Sequence, residues 1–179
     1  DGVKMFMKEE IIPNVSNSAL FILGPSLFMI TAVVTSAVVP WAKPVNIGGD
    51  VYDMQITDIN IGVIYLLGVA SIGVYGIMIG GWASNNKFAL LGAVRASSQM
   101  ISYEIPMGIA LIALIISSGG SLSLKEIVER QDAGFANIIW QPLGFLIFFI
   151  CALAETNRAP FDLPECETEL VGGYHTEYS

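Results

Sequence analysis

The sequence predicts an all-α protein, a multi-pass bundle of tilted transmembrane helices with four spans, and three observations carry that prediction. Uncharged windows lie over residues 19–39, between Asp58 and Lys87, between Glu104 and Lys125, and over 133–154. Each reaches the length that crosses a bilayer core, about 20 helical residues. Charged residues make up 13% of the chain, hydrophobic residues 54%, and mean hydropathy is +0.64, where soluble domains carry about 25% charge. The acid that remains is concentrated: residues 155–179 hold six acids against Arg158 alone. A net charge of −8 argues against a nucleic-acid partner.

The first span, 19–39, contains Pro25 as a site for a kink. The second, about 60–83, carries Gly76 and Gly80, a GxxxG step that lets another helix approach closely. Residues 87–103 read helically and run into the third uncharged window, so one long tilted helix over 87–118 is expected, with Pro106 inside it. The fourth span, 133–154, ends at Glu155. In lipid these segments must be helices, because an open strand leaves its backbone unpaired. Residues 40–58 form a loop marked by Pro40, Pro44, Gly48 and Gly49. In the connection 119–132, Ser123 is a suitable N-cap for "LKEIVER", with Glu126 at the third position. Residues 1–10 mix apolar and charged side chains, as an interfacial helix does. Residues 1–179 thus form one membrane domain, and the missing initiator Met and abrupt ends lead to the expectation that it is a piece of a longer protein. Five Lys and Arg residues lie on the side of the acidic tail (Lys4, Lys8, Lys87, Arg95, Arg158) and three on the other (Lys43, Lys125, Arg130). The positive-inside rule then puts residues 155–179 on the cytoplasmic or matrix side.

Cys151 and Cys166 form no CxxC pair, and His175 is not at ligand spacing from either, so no metal, haem or iron–sulfur site is expected. Cys151 reads as a small core or lipid-facing residue and Cys166 as a loop thiol.

Several polar residues stand where lipid disfavours them. Arg95, Gln99 and Tyr103 recur every four residues and so share one side of a helix, while Glu104 points elsewhere. Polar groups on two faces imply surrounding protein or a wet cavity; the simpler reading has Arg95 snorkel and Glu104 merely end a span. After the fourth span, Glu155, Asp162, Glu165, Glu167 and Glu169 crowd around Arg158. Pro160 and Pro164 bar a regular helix between them. Closely spaced carboxylates repel and share protons, which suits a proton relay. The alternative is a solvated acidic loop, although Phe161, Leu163, Leu170 and Val171 argue for a loop folded onto protein.

"SNNKFALLGAVRASSQMISYE" (84–104) and "AETNRAPFDLPECETELVGGYHTEYS" (154–179) closely resemble the two signature regions of one family, the H subunit of NADH-quinone oxidoreductase, called NADH dehydrogenase subunit 1 in mitochondria. "DGVKMFMKEEIIP" also resembles that family's first matrix-side loop, so the likeness covers essentially the whole chain. The resemblance implies a fragment of an eight-helix membrane subunit of respiratory complex I, matching its second to fifth helices. It implies a quinone chamber and an acidic path that couples quinone reduction to proton translocation. Proton-relay positions would then be Glu104, Tyr103, Glu155, Asp162, Glu165 and Glu167, with Arg95 and Arg158 as counter-charges. Glu169 matches less closely and reads equally as a surface acid. Phe161, Met5 and Phe6 would touch quinone or its tail. No catalytic residue or cofactor belongs to this chain on that reading: quinone is the substrate, while FMN, NADH and iron–sulfur clusters belong to partner subunits. The implied partners are the hydrophilic-arm subunits at the quinone site, other membrane-arm subunits and the lipid bilayer, in a bacterial cytoplasmic membrane or a mitochondrial inner membrane. Two other classes remain in view: an anchor subunit of a hydrogenase-type complex, and a cation-coupled secondary transporter, whose inverted repeat is not visible here.

Overall fold

A computed structural model describes residues 12–132, 134, 136–157, 160–161 and 172–178. The expected interfacial helix 1–10 and Cys166 lie outside them. In chain order the elements are α1 (Ser18–Ser36), β1 (Val45–Ile47), β2 (Asp50–Tyr52), α2 (Gly62–Ala83), α3 (Lys87–Ser117), α4 (Leu124–Asp132), α5 (Asn137–Trp140) and α6 (Pro142–Glu155), followed by a 3₁₀ turn at Gly173–His175. Three helices, α1, α2 and α3, are long and apolar enough to cross a membrane. They reproduce the first three expected spans, and α3 runs as one helix through Pro106.

The fourth apolar segment is shorter than expected. Its helix α6 has 14 residues, about 21 Å at 1.5 Å per residue, against the ~30 Å of a hydrocarbon core. Pro142 is the cause: a proline disfavours helical geometry in the residue before it. Gln141 accordingly takes φ −133° and ψ 63°, separating α5 from α6. Its side chain crosses to α3, where Nε2 donates to the Ala113 carbonyl at 3.0 Å.

The helices pack in sequence, α1 on α2, α2 on α3 and α3 on α6, while the 3₁₀ turn rests on α3 and α2. The small core gathers Val74, Ile77, Ala93, Ala96 and Met100, with Tyr174 laid against it. At the α1–α2 crossing the GxxxG step does what its spacing predicts. A Cβ added to Gly24 would lie 2.8 Å from the Gly80 Cα, and one added to Gly76 would lie 2.8 Å from the Gly24 carbonyl oxygen. Backbone meets backbone there, which maximises dispersion contact where no hydrophobic effect drives association.

The expected 40–58 loop contains a hairpin. β1 and β2 pair antiparallel with Ile47 opposite Asp50, across a Gly48-Gly49 turn whose φ angles are +68° and +105°. Two positive φ values in a two-residue turn require glycine or a similarly permissive residue. At the start of α4, Ser123 Oγ accepts from the Glu126 amide at 3.4 Å and donates to Asp58 at 3.1 Å. The Glu126 carboxylate turns to Ser121 instead of completing a capping box. Arg130 reaches back to the Ser118 carbonyl and places a cation at the C-terminal end of α3, where the helix dipole favours it.

Candidate functional site

Helix α3 carries its polar groups into two contacts. Ser71 lies nine residues into the 22-residue α2, so its depth is near the middle of that span. The Ser71 hydroxyl meets Glu104 Oε1 at 2.9 Å and the Leu67 carbonyl at 3.0 Å. It has one proton, so it donates to one of them at a time. Glu155 ends α6, which packs against α3. Glu104 and Glu155 are thus half-buried carboxylates on two packed helices.

The second contact is made by Gln99, 5% exposed on α3. Its Nε2 reaches the Ala154 carbonyl at 2.9 Å, the Phe161 carbonyl at 3.0 Å and Asn157 Oδ1 at 3.3 Å. The last turn of α6 and the chain beyond it are tied to α3 by a single amide. Asn157 helps by taking φ +51° just past the helix, an αL position that Asn tolerates, so that its N–H bonds the Ala154 carbonyl at 3.2 Å. Tyr103, one turn along from Gln99, meets Phe161 edge to face at 5.3 Å.

The expected division of α3 faces is partly reproduced. Gln99 and Tyr103 turn toward α6 and the segment after it, while Glu104 turns to α2. Arg95, expected beside Gln99, is exposed. Of the other expected site residues, Met5, Phe6, Arg158, Asp162, Glu165, Glu167 and Glu169 lie outside the described residues. Ser71 is a polar partner that the sequence offered no means of selecting. Gln99 was legible as a polar residue on the Arg95 face, but the role of its amide was not. Cys151 is a free, buried thiol one turn before Glu155. Among the described residues, no group of three or more His, Cys, Asp or Glu side chains is placed to hold a metal.

A third contact closes one end of the bundle. Pro25 has no N–H to give the Phe21 carbonyl, and the Tyr178 hydroxyl donates to that oxygen at 3.0 Å. The rings of Phe21 and Tyr178 stack at 4.2 Å, and burial pushes the Tyr178 phenol above its ordinary value of 10.0. Asn86 Nδ2 donates to Glu177 at 2.7 Å, while Asn86 Oδ1 caps α3 through the Phe88 amide at 2.9 Å. The Gly173–Tyr174 backbone lies so close to Gly92 that an added Cβ there would stand 2.7 Å from the Tyr174 nitrogen.

Membrane-length helices packed through glycine, with a serine–carboxylate hydrogen bond between two of them, mark a multi-pass membrane protein. Comparison with known proteins gives the family. The family model described as NADH dehydrogenase matches residues 1–179. The chain is 66% identical over its full length to an NADH-quinone oxidoreductase H subunit of Cytophaga hutchinsonii, covering 52% of that protein. It is 59% identical to the H subunit of the Flavobacterium johnsoniae enzyme and 58% identical to that of Flavobacterium psychrophilum, again over the full chain, covering 51% and 52% of them. The chain belongs to the family of NADH-quinone oxidoreductase H subunits, and it spans about half the length of the relatives it matches.

Proposed function

We propose that this chain serves, within a full-length H subunit, as a membrane component of a proton-translocating NADH:quinone oxidoreductase in a bacterial cytoplasmic membrane. It carries no cofactor of its own on this reading; quinone is the substrate, and FMN and iron–sulfur clusters belong to partner subunits. Its role is to help form the quinone chamber and to couple quinone reduction to proton movement.

The single observation that carries the coupling role is the Ser71–Glu104 hydrogen bond between α2 and α3, with the half-buried Glu155 at the end of the packed α6. A charge arriving near half-buried carboxylates on packed helices alters the balance of their hydrogen bonds and proton occupancy. The Ser71 hydroxyl has one proton and two acceptors within reach, Glu104 Oε1 at 2.9 Å and the Leu67 carbonyl at 3.0 Å, so its orientation follows whichever is the better acceptor. A proton shift is thereby written into side-chain orientation without moving a helix. On this reading Tyr103, Asp162, Glu165 and Glu167 extend the relay, Arg95 and Arg158 serve as its counter-charges, and Phe161, Met5 and Phe6 are the candidate quinone-binding residues.

The test is Glu104→Gln and Glu155→Gln in the full-length protein within an assembled complex. Coupling predicts normal assembly with quinone reduction and proton pumping sharply reduced. Assembled variants with unchanged turnover and pumping would instead assign this chain a purely anchoring role.

A further inference from the structure

Phe161 is gripped at two points by one helix, α3. Its backbone carbonyl lies 3.0 Å from Gln99 Nε2. Its ring meets Tyr103, one helical turn further along, edge to face at 5.3 Å. The same Nε2 lies 2.9 Å from the carbonyl of Ala154, the residue before Glu155, and 3.3 Å from Asn157 Oδ1. Three acceptors converge on one nitrogen, which fixes the orientation of the amide: turned over, it would set oxygen against oxygen.

The proton count adds a second constraint. Nε2 carries two protons for three acceptors, so Phe161, Ala154 and Asn157 compete for them. The Ala154 carbonyl also accepts from the Asn157 backbone amide at 3.2 Å, so it keeps a donor however the two protons are shared. What the Asn157 side chain takes is therefore withdrawn chiefly from Phe161. Gln99 itself is 5% exposed and sits behind the junction, with almost no surface to offer a substrate.

We propose that Gln99 is a positioning residue for quinone reduction: its amide fixes the Phe161 carbonyl, and with it the Phe161 ring against Tyr103, as part of the wall that a quinone ring meets. The inference rests on the reading of Phe161 as a quinone contact and adds the residue that places it.

The experiment uses the full-length subunit in the assembled complex, with NADH as donor and a short-tailed quinone as acceptor. Gln99→Met keeps the length of the side chain and removes its donor. Gln99→Ser is measured beside it, in case the methionine variant does not assemble; its hydroxyl can bond its own helix as those of Ser98 and Ser102 do. Either variant is expected to raise the apparent KM for quinone roughly three- to tenfold, the range of one net hydrogen bond, with kcat nearly unchanged. Phe161→Ala raises KM too, and adding Gln99→Met to it brings no further rise, because the amide acts through that residue. Asn157→Gly retains the αL position and removes the competing acceptor, so KM does not rise. Ser98→Ala, on the exposed side of the same helix, is the parent-like control. A lower kcat at unchanged KM in the Gln99 variants, additive effects of Gln99→Met and Phe161→Ala, or a raised KM in Asn157→Gly overturns the proposal, since each is what a general loosening of the junction produces. If Phe161→Ala leaves KM unchanged, the quinone reading of Phe161 fails and the proposal with it. If Phe161→Ala raises KM and the Gln99 variants do not, the positioning role alone fails.

Discussion

The amide of Gln99 donates to the carbonyl of Ala154 across 2.9 Å, and the same nitrogen lies 3.0 Å from the carbonyl of Phe161. One side chain on α3 thus fixes both the end of α6 and the first turn of the chain beyond it. Gln99→Leu keeps the volume but strips the donors from a buried junction. It is expected to cost about 1–3 kcal/mol, the penalty for leaving buried carbonyls unmade. Limited proteolysis should show faster cleavage just after Glu155, and Gln99→Glu should fare no better, because a carboxylate cannot donate to these carbonyls.

At the α1–α2 crossing, glycine is required at some positions and dispensable at others on the same helix. Gly76→Ala places a Cβ 2.8 Å from the Gly24 carbonyl, whereas Gly68→Ala meets nothing within 4 Å. Gly76→Ala should destabilise by about 1–3 kcal/mol through overpacking. Gly68→Ala should be neutral or stabilise by up to about 1 kcal/mol, since alanine has the better helix propensity. Thermal unfolding in one detergent, with both variants side by side, checks the contrast.

The Tyr178 phenol gives a pH dependence of definite sign. Burial raises its pKa above 10.0, so the folded state prefers the protonated phenol. Its contribution is complete below pH 10 and declines as pH rises through the folded value, because the unfolded chain loses the proton first. Docking of residues 172–178 should therefore loosen above pH 10. Tyr178→Phe should lose about 1 kcal/mol and abolish that alkaline step, as read by hydrogen exchange at the Gly173–Tyr178 amides.

The ion pair between Lys125 and Asp53, 3.4 Å apart, joins α4 to the segment after β2. Asp53 is 55% exposed and Lys125 30%, so solvent and salt screen the attraction. Asp53→Asn should change stability by no more than about 1 kcal/mol, and the difference should shrink further at high salt. A larger loss would mean that the hairpin depends on this pair rather than on its turn.

The spans were legible because lipid leaves the backbone a single solution, and charge marks where that solution stops. Lys87 and Asn86 begin α3 where the uncharged run before them is broken, and Gly76 with Gly80 announced a close helix crossing. Neither could name Gly24 as the opposing residue, since a glycine step says that a backbone approaches but not whose. The break at Gln141 was written in Pro142, yet it was hidden inside an uncharged window that reads as uninterrupted lipid-facing sequence. Glu104 and Glu155 stood out one by one as charge beside apolar runs. That their helices pack was not readable, because α3 and α6 are joined by a long connection. Ser71 is one serine among many in apolar sequence, and only the turn of Glu104 toward α2 distinguishes it.

The carbonyl of Phe21 depends on a hydroxyl that the ribosome supplies 157 residues later. Until Tyr178 has been synthesised and folded back, α1 lacks both this hydroxyl and the helical donor that Pro25 cannot supply to the Phe21 carbonyl. Biogenesis of this bundle therefore has a built-in order. A helix made early is finished late, and a nascent chain arrested short of Tyr178 should present a span that a membrane quality-control protease can still recognise as incomplete.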